Sequence, residues 1–318
     1  MKLLVTGGAG FIGHHLVHGL LRRGHDVAVI DDLVTGEIRR ITDVLDQIAF
    51  VEGSVLRADA LDAVTPGCEV ILHQAALPSV ARSVRDPRRS NEVNTSGTIE
   101  VMLAATRHGV RRVVLAGSSS VYGSSPEMPR RETQRPSPQS PYAVSKLAAE
   151  HYLHTIGALT GVETVALRYF NVFGPGQDPA SEYAAVVPRF VTAVLRGEPP
   201  VVNGTGEASR DFTYVENVVE ANVLAATASD VSGLTCNIGC GTRFTLLELL
   251  EAIGTTAGRT PRPTFGAPRP GDVLHSQADI ALARERLGYE VAVPFHSGVT
   301  QTVAWFDEAI HGQALSDG

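Results

Sequence analysis

Along the first half of the chain, short apolar and β-branched runs alternate with longer amphipathic segments. The runs predict strands at Lys2–Thr6, Val27–Ile30, Ala49–Val51, Val70–His73, Val113–Ala116 and Glu163–Arg168. They are almost continuously apolar, the pattern of strands covered on both faces. Helical periodicity between them predicts helices near Phe11–Arg23, Leu56–Ala63, Asn91–His108 and Pro141–Thr160. Strand, helix, strand at this spacing predicts an α/β fold of Rossmann type, a doubly wound parallel sheet with helices on both faces. The second half is less regular. Pro and Gly cluster at 173–179, 197–206 and 261–271, which predicts loops. Asp211–Ala226 and Leu246–Gly258 predict helices, and Thr235–Ile238 a strand. The pattern thus predicts a first domain over 1–173 and a smaller, partly discontinuous C-terminal domain over 174–318. Elements near 211–240 are expected to return to the first domain.

The first strand runs into Thr6-Gly7-Gly8-Ala9-Gly10-Phe11-Ile12-Gly13, which opens the first helix. Glycines at 7, 10 and 13, or at 8, 10 and 13, fit a phosphate-cradling turn. Free N–H groups and the helix dipole favour an anion there, and side chains would hold the backbone away from it. The second strand ends at Ile30-Asp31-Asp32. Asp31 follows Gly13 at close to the ~20-residue interval of the carboxylate that binds an adenosine ribose. A carboxylate here repels a 2′-phosphate and no Arg follows directly, so NAD is favoured over NADP.

Composition narrows the class. The 318 residues suffice for about two domains. A net charge of −7 argues against a protein that works by neutralising nucleic-acid phosphates. The basic run Arg82–Arg89 reads as a solvated loop or an interface. Three cysteines exclude a disulfide framework, and no metal site is expected from them. No apolar run reaches the ~18 residues of a membrane span, and the N-terminus lacks the apolar core of a secretory signal. These features lead us to expect a cytoplasmic protein.

Pro141-Tyr142-Ala143-Val144-Ser145-Lys146 places Tyr142 and Lys146 on one helix face. A phenol is a poor base at neutral pH, with a pKa near ~10. A neighbouring ammonium and a bound nicotinamide cation both favour the phenolate, so the pair can act as a general-base unit for alcohol oxidation. Upstream, Ser118-Ser119-Ser120 follows a strand, and strand C-termini are where open α/β sheets hold their sites. Tyr122 is a second candidate base without a matching Lys.

With these residues, the chain resembles the extended short-chain dehydrogenase/reductase family, and within it the NAD-dependent nucleotide-sugar 4-epimerases. The resemblance spans nearly the whole chain, through TGGAGFIG (6–13), DDLVTG (31–36), HQAA (73–76), SSSVYG (118–123), YAVSK (142–146), RYFNVFGPGQDP (168–179), SRDFTYV (209–215) and RPGD (269–272). It implies that Ser118, Tyr142 and Lys146 are catalytic. It implies an NAD site made by Gly7, Gly10, Phe11, Ile12 and Gly13, with Asp31, Asp32, Thr35 and Gly36. Ser54, Val55, Gln74, Ala75, Ala76, Asn94 and Tyr169 complete it with Tyr142 and Lys146. It implies a UDP-sugar site at Ser118, Ser119, Ser120, Asn171, Val187, Arg210, Arg269, Asp272 and Ser276. Arg210 and Arg269 would hold the diphosphate, a task suited to forked cationic donors.

Three departures stand out. Ser54 replaces the family's usual Asp, Gln74 a common Leu, and Asp32 a common Asn. The family's dehydratases and decarboxylases carry carboxylates where this chain has Ser119 and Ser120. That favours 4-epimerisation through a transient 4-keto sugar over a UDP-glucuronate decarboxylase or a non-catalytic NAD-binding regulator. The substrate could be UDP-glucose/galactose, UDP-N-acetylglucosamine or UDP-glucuronate. Ser276, at a position of variable bulk, is compatible with an N-acetyl group. Helices near 91–108 and 141–160 resemble those of a homodimer interface.

Overall fold

The apolar runs assemble into one seven-stranded parallel sheet, described here from a computed structural model. Residues 1–179, 185–267 and 273–316 are described, with side chains to residue 311. Six strands come from the first half: β1 (Lys2–Thr6), β2 (Asp26–Asp31), β3 (Ile48–Glu52), β4 (Val70–His73), β5 (Arg112–Ser118) and β6 (Glu163–Tyr169). The seventh, Leu234–Ile238, pairs with the outer side of β6. The order is 3-2-1-4-5-6 with the late strand beyond β6. Each strand agrees with its predicted run to within a residue or two, because strands buried on both faces carry an unbroken apolar signal.

Helices cover both faces. They include α1 (Phe11–Arg22), α2 (Ala58–Val64), α3 (Val80–Arg85), α4 (Pro87–Asn91), α5 (Gly97–Arg107) and α6 (Pro141–Thr160). One core layer joins Leu16, Val17 and Leu20 of α1 to Val5, Val29 and Leu72 of the sheet. The opposite layer packs Val101, Met102 and Ala105 of α5 and Leu153 of α6 against Leu4, Ile30 and Ile71. The predicted boundaries of α6 hold for local reasons. Ser140 caps the first turn, accepting from Ala143 N at 3.2 Å, Pro141 follows it, and Gly161 ends the helix at φ +82°.

The predicted helix over 91–108 is divided. Between α4 and α5, Glu92–Ser96 forms a π-helical turn. The predicted helix at 211 starts later, at Val215, because Thr213–Tyr214 is extended and pairs with Val172–Phe173. Three further helices, Val186–Arg196, Ala281–Leu287 and Phe295–Ser316, lie in the stretch that the Pro/Gly clusters made irregular. Val186–Arg196 and Leu246–Ala257 share a third core with the last helix, built on Phe190, Leu249, Phe295 and Val299.

Two buried polar ties bind these layers. Arg168 of β6 grips Glu150 of α6 through two bonds, Nε at 2.9 Å and Nη2 at 2.6 Å, and Nη1 donates to Tyr122 Oη at 2.8 Å. Arg112 of β5 reaches Glu163 at 2.6 Å and the Ala225 carbonyl at 2.7 Å, tying the helix Val215–Thr227 to the sheet.

Candidate active site

A cleft of about 690 Å³ opens at the C-terminal ends of the strands, where the sheet order reverses between β1 and β4. Its floor is the glycine turn. Gly7 has φ +69°, and a Cβ on it would stand 2.8 Å from the Ala75 backbone. A Cβ on Gly13 would stand 2.0 Å from the Gly7 carbonyl, so only glycine lets α1 start this close to the turn. Gly10 precedes α1 without any side-chain cap. The first N–H groups of α1 are therefore left for an anion. Gly7, Gly10, Phe11, Ile12 and Gly13 all line the cleft.

Asp31 ends β2 and also lines the cleft. Its carboxylate accepts from Ala9 N and Leu33 N, both at 2.9 Å. Burial nevertheless raises its pKa above the usual carboxylate range. Asp32 and Thr35 stand beside it. Gly36 is not on the cleft wall; its contribution is the missing side chain, since a Cβ would meet Asp31 Oδ1 at 2.6 Å. Val55 lines the cleft, whereas the Ser54 hydroxyl accepts from Leu56 N at 3.4 Å in a local turn.

Gln74, Ala75, Ala76 and Tyr169 form the wall beyond β4 and β6. Gln74 Nε2 donates to Tyr169 Oη at 3.2 Å and to Asn222 Oδ1 at 3.1 Å, while Asn222 donates to Tyr169 Oη at 2.8 Å. Burial pushes the Tyr169 phenol up to about 12, so it works as a neutral hydrogen-bond partner. Asn94 does not reach the cleft wall. From the π-helical turn its Oδ1 accepts from Leu77 N at 2.8 Å, and its Nδ2 donates to Ser145 Oγ at 3.0 Å. It ties the loop after β4 to the helix that carries Tyr142 and Lys146.

At the far end, β5 delivers Ser118 and α6 presents Tyr142, and both line the cleft. The Ser118 and Ser120 hydroxyls lie 2.8 Å apart. Lys146 Nζ donates to the Ala116 carbonyl at 3.0 Å. Burial raises the Tyr142 pKa and lowers that of Lys146 to about 8. The protein alone therefore keeps the phenol neutral. Tyr122 is not a second base. It is buried, donates to Asn237 Oδ1 at 2.7 Å, accepts from Arg168, and burial holds its pKa up at about 12.

Ser119, Ser120, Asn171, Arg210 and Ser276 complete this end of the cleft. Asn171 adopts φ +23°, an uncommon backbone state for a residue with a Cβ and one often found at functional sites. Arg210 Nη1 donates to the carbonyls of Ser209 (2.9 Å) and Leu274 (3.1 Å). Val187 is placed differently: on the helix Val186–Arg196 it is buried in the third core with Phe190 and Leu249 and is not part of the cleft wall. Arg269 and Asp272 lie outside the described residues. The cleft also includes charged residues outside the quoted motifs, among them Arg40, Arg82, Arg89 and Arg130, and two residues of the 168–179 motif given no role from sequence, Gln177 and Asp178. Arg82 and Arg89 belong to the run read as a solvated loop or an interface. Only the course of α3 and α4 turns them inward.

Comparison with known proteins gives a consistent picture. Residues 3–239 match the model of the NAD dependent epimerase/dehydratase family. The UDP-glucose 4-epimerase of Mycolicibacterium smegmatis is 39% identical over 310 residues, covering 96% of this chain and 98% of that protein. The crystal structure of a Thermotoga maritima UDP-glucose 4-epimerase with UDP-glucose superimposes with a TM-score of 0.93 at 35% identity, covering 98% of this chain and all of that one (100%). A Thermus thermophilus UDP-glucose 4-epimerase in complex with NAD gives 0.89 at 38% identity, covering 97% of this chain and 100% of that one.

Proposed function

The chain belongs to the NAD-dependent epimerase/dehydratase family, and from that premise we propose that it is an NAD-dependent UDP-sugar 4-epimerase. The observation that carries this reading is the convergence of Ser118, Tyr142 and Lys146 at the end of a glycine-floored cleft, beside serines rather than carboxylates at 119 and 120.

The glycine turn and Asp31 fit NAD: the turn leaves room and N–H donors for a pyrophosphate, and Asp31 faces the cleft where a ribose would lie. NAD, when bound, supplies the hydride acceptor and the positive charge that this chemistry requires. Tyr142 removes the proton of the C4 hydroxyl, with Ser118 beside it on the cleft wall and able to hold that hydroxyl. Lys146, fixed on the Ala116 carbonyl, adds the nearby ammonium. Arg210, with Arg269 as its proposed companion, anchors the diphosphate while the 4-keto sugar turns over. Tyr142 then returns its proton as C4 is reduced from the opposite face. Ser119 and Ser120 offer hydroxyls to the sugar but no carboxylate for elimination or assisted decarboxylation.

The partner is a UDP-sugar carrying glucose/galactose, N-acetylglucosamine or glucuronate. A cytoplasmic location accords with three cysteines, none of them paired. A homodimer is supported by Leu103 on α5 and by Val144, Tyr152 and Leu159 on α6, apolar side chains exposed on two helices that pack together.

Incubation without added NAD, followed by NMR of the products, tests the reading. A 4-epimer from one UDP-sugar is the expected result; a pentose product would replace it with decarboxylation. Asp31→Asn is expected to weaken NAD binding by about 10- to 100-fold, since a charge-assisted bond is lost. Calorimetry checks this, and unchanged affinity would remove Asp31 from the cofactor site.

A further inference from the structure

The sugar end of the cleft holds a cation that the proposed chemistry does not use. Arg130 lines the cleft with Gly123, Gln139 and Ser276, yet its side chain is only 3% exposed. Nη2 donates to the Gly123 carbonyl at 3.2 Å and Nη1 to the Glu127 carbonyl at 3.1 Å. A guanidinium has five N–H donors, so three find no acceptor among the described residues. No carboxylate among those residues pairs with it. Glu132 accepts from Asn237 N at 2.7 Å and Asp279 pairs with Arg131 at 3.1 Å, while Glu127 offers its carbonyl and acts through its carboxylate only beyond ion-pair distance. Buried charges are ordinarily paired.

Its place is fixed on both sides. Gly123 closes the turn that begins with Ser118. The Arg130 backbone donates to Gln277 O at 2.7 Å and accepts from Asp279 N at 2.8 Å, next to Ser276. Arg130 thus joins the two segments that carry the serines of the sugar end, its guanidinium bonded to the first and its backbone to the second. Burial also lowers its pKa from the usual arginine value, outweighing the opposing influence of Tyr122 and Glu127.

We propose that Arg130 is a specificity-determining residue that receives a carboxylate carried by the sugar of the UDP-sugar, so that the site selects acidic sugars over neutral ones. This rests on the 4-epimerase reading and deepens it. The planar fork matches a carboxylate, whereas a neutral hydroxyl leaves the cation uncompensated. The carboxylate can be C6 of a hexuronate or an ether-linked lactyl group, and the test separates them.

The test compares kcat/KM for UDP-glucuronate, UDP-N-acetylmuramate, UDP-glucose and UDP-N-acetylglucosamine. One acidic sugar is expected to exceed its neutral counterpart by about 10- to 100-fold, and which one does so identifies the carboxylate. Arg130→Met is expected to collapse that ratio, and Arg130→Lys to restore part of it. Retained UDP binding reports that each variant is folded. A wild-type preference for the neutral sugars overturns the proposal, as does an unchanged ratio in folded Arg130→Met. If no UDP-sugar is epimerised, the 4-epimerase reading fails by itself. Calorimetric binding of UDP-glucuronate and UDP-N-acetylmuramate against UDP-glucose then decides the role of Arg130: tighter binding of either acidic sugar supports it, equal binding overturns it.

Discussion

Tyr142→Phe should lower epimerisation by about 10³-fold, within the range for a lost general acid–base group, while UDP-sugar binding persists. The ring keeps its packing, and only the phenol oxygen is lost. Lys146 cannot take its place, because its ammonium is held on the Ala116 carbonyl at 3.0 Å. Tyr122 cannot either, since it is buried between Arg168 and Asn237. The loss should therefore fall on kcat, with the Kd of the UDP-sugar near its original value. Activity close to wild type would sink the assignment of the base.

Glu150→Ala should destabilise the protein by about 3–5 kcal/mol, the cost of leaving one member of a buried ion pair unpartnered. The pair is nearly closed to water, with side-chain exposures of 5% and 6%. Its removal leaves the Arg168 guanidinium with the Tyr122 hydroxyl alone among its present side-chain partners. Replacing both members, as Glu150→Leu with Arg168→Met, should cost less than the single change, because no buried charge remains. Urea denaturation at constant m-value measures both. A single-variant loss below about 1 kcal/mol, the level of an exposed pair, would show that the site is wetter than the geometry implies.

What the sequence made legible follows from locality. The glycine turn, Asp31, the serine cluster and the Tyr142–Lys146 pair lie within short segments, and their spacing alone carries their chemistry. Asn94 and Gly36 are informative positions of another kind. Asn94 braces Leu77 and Ser145, and Gly36 makes room for Asp31, so each acts through a neighbour that only the fold supplies. Arg130 was not legible, because the serine turn and the 273–279 segment that frame it are far apart in sequence. Val187 stands on a helix whose apolar stripe faces Leu249 and Phe295, and packing decides its orientation. The helix break at 92–96 was hidden for a similar reason: both flanks share helical periodicity, and the π-helical turn adds no residue type of its own.

The late strand of the sheet has a consequence for synthesis on the ribosome. By the time Tyr169 has emerged, the six strands of the first half are available, but β6 has no partner on its outer side until Leu234–Ile238 arrives. At ~5–20 residues per second, that interval lasts several seconds. During it an apolar strand edge is open to pairing with other nascent chains, a recognised route to aggregation. Arg112 and Arg168 sharpen the exposure, since Ala225 and Asn237, which complete their surroundings, also come late. The yield of soluble protein should therefore depend on elongation speed and on chaperones acting while the stretch from 170 to 238 is being made.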